Sequence, residues 1–365
     1  MKTIVIAAGG TGGHISPGVA LAEALMQNKE KYGFEKLYIH SLNRNRDNPD
    51  LKSAPCELIW HNSPPITKMF FLFPFPFIYN LIKTILRFQK EKVDCVISMG
   101  GYSSVPALLY ALFFRKKIFL CEQNRVIGKV NRIFLKYANK IAFSFPPITQ
   151  KEIRVPHIVA GNPIRSKILP ESKTKEFPKS PEERIHVLVM GGSQGARQIN
   201  NMVLNSMENP EISKNFLFRI LTGTALYEET ITKIRGPIEK DNIISYSVNM
   251  KEHYDWAHLV IARSGAGVIS ECIAFGLPMI LIPYPYASDN HQMENAKFCE
   301  ECCGAKIIAS KEEDSSILIK YLLEINQNPE LLSKIYAQTC KDAKLQSSVN
   351  TIDFFFLSQD ETSRK

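Results

Sequence analysis

The 365-residue sequence lacks the features that carry a chain into or across a membrane. Glycines interrupt the first apolar run where the hydrophobic region of a secretory signal would continue, so we expect the protein in the cytoplasm. The most apolar stretch, residues 66–92, is broken by Pro74, Pro76 and Lys83, and it has no uninterrupted run of about 20 apolar residues. A membrane-spanning helix is therefore not expected.

Metal-binding patterns are also missing. The sequence has eight cysteines, which we expect to be reduced in the cytoplasm. Cys299, Cys302 and Cys303 form the cluster "CEECC", but no second cysteine or histidine pair at zinc spacing completes it. A helix face explains these thiols better than the alternative, half of a metal site. No D-x-D sequence stands out either, so we expect no metal and no cofactor.

The nucleotide-binding patterns of two large enzyme classes are incomplete. In "AAGGTGGH", Gly10 and Gly12 fit the dinucleotide fingerprint G-x-G-x-x-G, but Ile15 takes the place of the third glycine. The second strand, in "YIHSLNRN", supplies no carboxylate for a ribose. The Gly-Lys-Ser/Thr of a P-loop is absent as well. These gaps argue against a dehydrogenase and against a P-loop enzyme.

The charge is one-sided, with a formal net charge of +9 and a pI near 9.0. This balance favours an anionic partner, but it does not choose between nucleic acid, a phosphate-bearing substrate and a lipid surface. The length exceeds what one hydrophobic core usually serves, so we expect two domains.

What the sequence does contain is one folding plan used twice. Strand-length apolar runs such as "TIVIAA" alternate with helical patterns, and the alternation restarts at "RIHVLVM", which predicts an α/β fold with parallel sheets. Between the halves, "PESKTKEFPKSPEE" has three prolines and many charges, as linkers do. We expect an N-terminal domain over 1–165, a linker over 166–183, a C-terminal domain over 184–345, and a segment 346–365 whose helix returns to the N-terminal domain.

Both halves open with a strand, a glycine turn and a helix. The two turns share a pattern of two glycines, a hydroxyl residue, any residue and a glycine: Gly9, Gly10, Thr11 and Gly13 in the first, and Gly191, Gly192, Ser193 and Gly195 in the second. Turns of this kind can cradle phosphate with their backbone amides. Ligands of such folds lie beyond the carboxyl ends of the strands, which predicts a ligand cleft between the two domains.

A histidine stands at the first glycine turn. His14 is the only titratable side chain there, and Ala196 takes its place in the second turn. The helix that follows is expected to begin at Pro17. A cation at a helix N-terminus opposes the helix dipole, which favours neutral imidazole, a competent general base. The alternative is a surface histidine that caps the helix.

The stretch "ARSGAGVISECIAFGLPMILIPYP" combines a small-residue turn with a carboxylate. Ser264, Gly265, Ala266 and Gly267 form a turn that opens a helix containing Glu271. Amides at such a turn suit a diphosphate or a sugar, and a carboxylate one turn into the helix can accept two hydrogen bonds from a ribose diol. Alternatively, Glu271 only offsets the helix dipole.

Two stretches, residues 66–92 and 107–117, pair aromatic side chains with lysine and arginine. Phe70, Phe71, Phe73 and Phe75 lie in the first. Apolar side chains beside cations are typical of surfaces that bind anionic bilayers. We expect peripheral membrane attachment through the N-terminal domain, with a buried helix and loop as the alternative.

Taken together, the motifs of this chain resemble the MurG family of N-acetylglucosaminyltransferases, which convert lipid I to lipid II in bacterial cell-wall synthesis. In order they are "GGTGGHISPG", "MGGYSSVPA", "EQNRVIGKVNR", "GNPIR", "GGSQGARQIN", "RSGAGVISE", "GLPMILIPYP" and "DNHQMENA", spanning nearly the whole chain. The resemblance implies a GT-B fold, with two Rossmann-like domains whose parallel sheets face a cleft. It implies inverting transfer of GlcNAc from UDP-GlcNAc to the C4 hydroxyl of the MurNAc-pentapeptide of lipid I.

The same resemblance implies partners and a location. UDP-GlcNAc and lipid I would be the substrates, and the protein would sit peripherally on the cytoplasmic face of the inner membrane. Other cell-wall synthesis proteins would be partners, nucleic acid would not, and the reaction would serve cell shape and division.

Individual roles follow from the family motifs. Glu271 would hold the ribose diol, Ser193 a donor phosphate, and Gln292 hydroxyls of the transferred sugar. The donor turn would comprise Ala266, Gly267, Val268, Ile269, Ser270 and Glu271. The opposite wall would be lined by Thr11, Gly12, Gly13, Asn124 and Arg165. For the catalytic base or acceptor-orienting group, His14 is favoured and Glu122 is the rival.

The chain departs from the family at a few positions. Cys121 stands where a histidine is frequent, Ser247 and Asn249 replace common residues of the uracil pocket, and Val268 replaces a threonine. Two other functions stay open. One is a UDP-GlcNAc epimerase on the same fold, which would need no lipid-facing surface. The other is a nucleotide-sugar sensor, which would tolerate loss of His14.

Overall fold

The computed structural model describes residues 3–62, 75–149, 153–171, 174–180, 183–192, 194–235, 238–309, 312–342 and 347–357. They form two compact units. The N-terminal unit contains the described residues up to Ser166 together with those after position 346, and the C-terminal unit contains those from Lys167 to position 342. The chain therefore enters the second unit once and then returns to the first.

The N-terminal unit is built on a parallel sheet, whose described strands have the order β3-β2-β1-β4-β5-β6-β7. The strands are β1 Thr3–Ala7, β2 Lys36–Leu42, β3 Glu57–His61, β4 Cys95–Ser98, β5 Lys117–Glu122, β6 Lys140–Phe143 and β7 His157–Val159. In β1, Ile4 pairs with Leu37 of β2 on one side and with Cys95 of β4 on the other. The strand order reverses between β1 and β4, which is where ligands of this fold bind.

Helices cover this sheet. They are α1 Gly12–Gln27, α2 Lys29–Tyr32, α3 Pro49–Lys52, α4 Phe75–Lys90, α5 Val105–Phe113 and α6 Lys129–Phe134. Helix α1 packs its buried apolar side chains, among them Val19, Leu21 and Leu25, against β1 and β2.

The C-terminal unit repeats this plan. Its described strands have the order β10-β9-β8-β11-β12-β13, again with a reversal between the first strand and the fourth. They are β8 Ile185–Met190, β9 Phe216–Leu221, β10 Ile243–Ile244, β11 Leu259–Ala262, β12 Met279–Leu281 and β13 Lys306–Ile307. Its helices are α7 Arg197–Ser206, α8 Pro210–Asn215, α9 Tyr227–Thr232, α10 Met250–Trp256, α11 Ala266–Ala274, α12 His291–Cys303, α13 Ser316–Gln327 and α14 Glu330–Asp342.

The last helix, α15 Ser347–Phe356, packs on the N-terminal unit. Its Phe355 stacks on Phe119 of β5 with ring centroids 4.7 Å apart. Asp353 accepts a 2.7 Å hydrogen bond from the hydroxyl of Tyr32 and forms an ion pair with Lys31. Helix α15 therefore completes the core of the N-terminal unit, although the described residues just before it in the chain belong to the C-terminal unit.

The predicted fold class, two α/β units with parallel sheets, is confirmed, and every apolar run interpreted as a strand forms one. The short strand β7 was not predicted. The expected start of α1 at Pro17 is wrong, because the helix begins at Gly12. A proline at the sixth position removes only the bond to the carbonyl of Gly13, a residue exposed to water.

The stretch expected to be a linker packs against the C-terminal unit where it is described. Phe177 is buried and lies against Tyr336, with ring centroids 5.2 Å apart. Lys175 donates to the backbone oxygens of Tyr254 and Asp255 at 2.8 and 2.9 Å.

Candidate active site

The first glycine turn and the glycine pair after β4 meet at the switch point of the N-terminal sheet. The half-buried ring of His14 lies in the first turn of α1, and its Nδ1 is 3.3 Å from the hydroxyl oxygen of Thr11. On the other side the ring lies beside Gly100 and Gly101. A Cβ built at Gly101, where φ is +72°, would lie 3.2 Å from Cε1 of His14. The imidazole is therefore held between the two turns, and Gly101 is required by both its backbone angle and its closeness to the ring.

Thr11, Gly12 and Gly13 form the exposed rim of this turn. Thr11 occupies the N-cap position of α1, but its hydroxyl accepts no bond from the helix amides. The first-turn amides of a helix have no partner four residues back, so this rim offers donors to an anion or a hydroxyl.

Glu122 ends β5 and is 3% exposed. Oε2 accepts hydrogen bonds from the backbone nitrogen of Gly128 at 2.8 Å and from Asn131 Nδ2 at 2.9 Å. Oε1 accepts from the backbone nitrogen of Asn124 at 3.1 Å and from its side chain at 3.4 Å. Burial raises the pKa of this carboxyl, and these hydrogen bonds oppose the rise. The carboxylate thus orders the loop between β5 and α6.

That loop is connected to the histidine. A Cβ at Gly100 would lie 3.3 Å from Nδ2 of Asn131 and 3.7 Å from Nε2 of His14. Asn131 also donates to the carbonyl of Cys121 at 3.0 Å. Asn131, which donates a hydrogen bond to Glu122, therefore lies beside the same glycine turn as His14.

Arg165 is 3% exposed and is bound within the N-terminal unit. Its Nε and NH2 donate to Oε1 of Glu23 at 3.0 and 2.8 Å, and NH1 donates to the carboxylate of Asp50. NH2 also donates to Ser53 Oγ at 3.1 Å. Two carboxylates neutralise this cation, and the network joins α1, α3 and the segment after β7.

In the C-terminal unit, two turns follow the neighbouring strands β8 and β11. Gly195 in the first turn has φ of +80°, and a Cβ there would lie 2.0 Å from the carbonyl oxygen of Thr222, so only glycine fits. Ser193, the predicted phosphate contact, lies outside the described residues.

The second turn opens α11, with Gly265 at the N-cap position in an extended conformation. A Cβ at Gly265 or Gly267 would meet no described atom within 4 Å, so this side of the turn is open. The amides of residues 266–268 are the first of the helix and have no partner four residues back. Ile269 and Ser270 face inward: Ile269 is fully buried, and Ser270 Oγ donates to the carbonyl of Ala266 at 2.7 Å.

Glu271 is half-buried one turn further along α11. Its Oε2 accepts a 2.6 Å hydrogen bond from the hydroxyl of Tyr254, which is fully buried in α10. Burial and the nearby Glu271 carboxylate raise the pKa of the Tyr254 hydroxyl well above its usual range. No sequence pattern links these residues, 17 positions apart.

Gln292 lies at the start of α12. Its Oε1 accepts a 2.8 Å hydrogen bond from the backbone nitrogen of Tyr284, and its backbone oxygen accepts one of 2.7 Å from Ser264 Oγ. With the amide oxygen engaged, the amide nitrogen is the group that can donate to a ligand. The bond from Ser264 fixes Gln292 beside the turn that opens α11.

The residues that depart from the family motifs have ordinary local roles. Cys121 is buried in β5, and burial raises the pKa of its thiol. Ser247 Oγ accepts a 3.2 Å hydrogen bond from the backbone nitrogen of Asn249, whose side chain donates to Glu252 at 3.2 Å. These two bonds shape the turn before α10.

Within the described ranges, no group of three His, Cys, Asp or Glu side chains is arranged to hold a metal ion. Cys299 and Cys303 are buried on one face of α12. None of the helices in the described part of the chain is long and apolar enough to cross a membrane.

The chain is similar to known glycosyltransferases over nearly its whole length. Residues 4–143 match the glycosyltransferase family 28 N-terminal domain, and residues 186–352 match the family 28 C-terminal domain. A relative from Leptospira interrogans, named as a UDP-N-acetylglucosamine–N-acetylmuramyl-(pentapeptide) pyrophosphoryl-undecaprenol N-acetylglucosamine transferase, is 53% identical over 98% of this chain and 99% of its own.

Two solved structures share the fold. The crystal structure of Acinetobacter baumannii MurG has a TM-score of 0.75 at 22% identity, covering 97% of this chain and 99% of its own. A structure of S. aureus MnaA with UDP has a TM-score of 0.66 at 13% identity, covering 97% of both chains. With both family domains matched and a relative of 53% identity, this chain belongs to the MurG family within glycosyltransferase family 28.

Proposed function

We propose that this glycosyltransferase moves GlcNAc from UDP-GlcNAc to the C4 hydroxyl of the MurNAc-pentapeptide of lipid I, giving lipid II and UDP. The observation that carries the proposal is the 53% identity, over nearly the full length of both chains, to a relative whose name states this donor and acceptor. Such a product would feed cell-wall growth and, through it, cell shape and division.

The reaction needs a proton acceptor. The C4 hydroxyl oxygen attacks the anomeric carbon, the bond from that carbon to the UDP diphosphate oxygen breaks with inversion, and the hydroxyl proton must leave. His14 is the proposed acceptor, because its ring is only half-buried and lies in the first turn of α1. Glu122 is less suited to this role, since it is 3% exposed and its two oxygens already accept hydrogen bonds from the β5–α6 loop.

The donor site is proposed on the C-terminal unit. Glu271 would accept hydrogen bonds from the ribose diol, and Gln292 would donate its amide to a sugar hydroxyl. The open amides of residues 266–268 would face the donor, and Ser193 remains the predicted phosphate contact. The positive end of α11 would stabilise negative charge that develops on the departing diphosphate.

Arg263, at the turn after β11, would add positive charge to this site. Its described hydrogen bonds go to neutral oxygens of Gln198, Ile282 and Pro283, at 3.0 to 3.3 Å. Arg165, by contrast, already pairs with Glu23 and Asp50. We therefore propose that Arg165 stabilises the N-terminal unit and does not contact the leaving group.

Peripheral membrane attachment is proposed through the apolar face of α4, which comprises Phe75, Ile78, Tyr79, Ile82 and Leu86. These side chains are 45–74% exposed. The buried side of the helix is instead formed by Asn80, Thr84 and Phe88. A helix that turns its apolar side outward needs an apolar environment there.

Cations surround this face. Lys83, Arg87 and Lys90 lie on the same helix, and Lys83 Nζ is 4.4 Å from the ring centroid of Tyr79. Helix α5, which packs beside α4, ends at the exposed Phe113, followed by Phe114 and three basic residues. This combination suits the interface of an anionic bilayer, where an undecaprenyl-linked acceptor would be met. Of the four phenylalanines predicted to form the patch, Phe70, Phe71 and Phe73 lie outside the described residues.

The test is incubation of the purified chain with radiolabelled UDP-GlcNAc and a lipid I analogue, followed by extraction of the lipid product. We expect label in the lipid fraction, dependent on both substrates and on His14. Conversion of UDP-GlcNAc to an epimer without acceptor would support the epimerase instead. Binding of UDP-GlcNAc without any turnover would support the sensor.

A further inference from the structure

The hydroxyl of Tyr254 and the carboxylate of Glu271 form a hydrogen bond between two helices. The donor lies in α10, the acceptor in α11, and the O–O distance is 2.6 Å, as expected for a hydroxyl donating to an ionised oxygen. Tyr254 is fully buried, whereas Glu271 is half-buried. The bond therefore joins a fixed interior group to a side chain that solvent can reach.

Tyr254 is held through both its ring and its backbone. It packs on Phe275 with ring centroids 5.2 Å apart, and its backbone oxygen accepts a hydrogen bond from Lys175. Phe275 directly follows α11, the helix that carries Glu271. Ring and carboxylate are therefore held to the same helix, so the hydrogen bond does not depend on a mobile loop.

We propose that Tyr254 is a positioning residue for the donor site, holding the Glu271 carboxylate in the orientation in which it accepts the ribose diol. The inference rests on the proposed function, because it takes Glu271 as the ribose acceptor. A carboxylate oxygen that accepts one hydrogen bond retains a second lone pair, so the tyrosine bond and a ribose bond are compatible. A glutamate whose rotamer is fixed before binding loses less conformational entropy when the ligand arrives.

Burial and the adjacent carboxylate raise the pKa of the Tyr254 hydroxyl well above its usual range, which favours the protonated form that donates this hydrogen bond. Tyr254 is thus the donor of this hydrogen bond and Glu271 the acceptor.

The experiment compares binding of UDP and of 2′-deoxy-UDP to the full chain by calorimetric titration. The unchanged protein should prefer UDP, and Glu271→Gln should lose most of that preference. Tyr254→Phe keeps the ring and removes only the hydroxyl, so we expect UDP affinity to fall about tenfold and 2′-deoxy-UDP affinity to fall less. If Tyr254 had only a structural role, Tyr254→Phe would weaken the binding of both nucleotides equally.

Tyr32→Phe is the matched control. It removes a buried tyrosine hydroxyl that donates to a carboxylate, Asp353, in the N-terminal unit, and it should leave both affinities unchanged. Phe275→Leu is a second variant that loosens the ring without touching the hydroxyl, and it should reduce the UDP preference in the same direction.

The outcomes separate the two claims. If the unchanged protein does not prefer UDP, the ribose role of Glu271 is wrong, whatever Tyr254 does. If Glu271→Gln loses the preference but Tyr254→Phe keeps it in full, the positioning role is overturned. If Tyr254→Phe does not fold, an unaltered preference in Phe275→Leu overturns it.

Discussion

The backbone nitrogen of Gly128 donates a 2.8 Å hydrogen bond to Oε2 of Glu122, six positions earlier in the chain. With the donors from Asn124 and Asn131, it surrounds a carboxylate that is almost fully buried. Glu122→Gln places an amide NH2 against some of these donors, so we expect a loss of about 1–3 kcal/mol in the free energy of unfolding. Denaturant titration measures this loss.

Where Glu122→Gln is still folded, it should retain far more transfer activity than His14→Ala. If Glu122→Gln instead has unchanged stability and a turnover as low as that of His14→Ala, Glu122 is the catalytic base.

His14→Ala should lower turnover by roughly 100- to 10,000-fold if the imidazole accepts the proton. Affinity for UDP-GlcNAc should change little, because the proposed donor residues lie on the C-terminal unit. Steady-state transfer rates and calorimetric titration give the two numbers. Thr11→Val, which removes the hydroxyl 3.3 Å from Nδ1, should have a much smaller effect. Near-normal turnover in His14→Ala would leave the base role to Glu122 or to water.

Gly101→Ala should reduce transfer by displacing the histidine ring. The new Cβ would lie 3.2 Å from Cε1 of His14, and the backbone there, with φ of 72° and ψ of 161°, has a conformation that essentially only glycine adopts, which adds strain of about 1–3 kcal/mol. Gly33→Ala is the control for replacing a positive-φ glycine away from the ring, since Gly33 has the left-handed α conformation and no described atom lies within 4 Å of the added Cβ. Thermal unfolding should show a larger loss of stability for Gly101→Ala than for Gly33→Ala, and only Gly101→Ala should lose activity. Equal activities would show that the contact with the ring does not matter.

The triple variant Ile78→Ser, Ile82→Ser and Leu86→Ser should abolish sedimentation with anionic liposomes while UDP-GlcNAc binding survives. All three side chains are at least 45% exposed, so their loss should not unfold the unit. Ile133→Ser, on α6, is the control, because it removes a side chain that is 62% exposed but lies outside the apolar face of α4. Cosedimentation equal to that of the parent would refute the membrane role of this face.

Acid should destabilise the N-terminal unit through two stacked, buried histidines. The rings of His40 and His61 are 4.0 Å apart, and burial lowers the pKa of His61 to about 4 and that of His40 well below its usual range. Below pH 6.5 the unfolded chain binds protons that the folded unit does not, so stability falls from there toward pH 4.

Between pH 7 and pH 5 the free energy of unfolding should fall in both proteins. We expect this fall to be about 2 kcal/mol smaller in His61→Phe than in the unchanged protein. The chain has two tryptophans, Trp60 in the N-terminal unit and Trp256 in the C-terminal one. In a Trp256→Phe background, the fluorescence of Trp60 reports the unfolding of the N-terminal unit. An unchanged pH dependence would show that His61 is protonated in the folded state.

The sequence predicted the strands because their apolar runs are short, buried and separated by helices, as in β1, β5 and β8. It predicted that His14 and Glu271 lie near glycine turns that follow strands, because such turns are local patterns. It could not predict contacts made by tertiary packing. The bond from Tyr254 to Glu271 and the pairing of Arg165 with Glu23 join elements that no sequence spacing relates.

The predicted start of α1 was wrong for a different reason. Proline is a reliable marker of the first helical turn, but it is also tolerated slightly further in when the carbonyl that it leaves without a partner faces water. That is the situation of Gly13 and Pro17, and it puts His14 inside the helix rather than before it.

The return of α15 to the N-terminal unit affects how the protein is made. Phe355 and Ile352 belong to the core of that unit, so the core cannot be completed on the ribosome until almost the whole described chain has been translated. The described strands of the C-terminal unit are all synthesised before α15. Domains generally fold in the order in which they are translated. Here the part translated first is completed only once α15 has been made, and the nascent chain must keep the docking surface beside Phe119 uncovered until then.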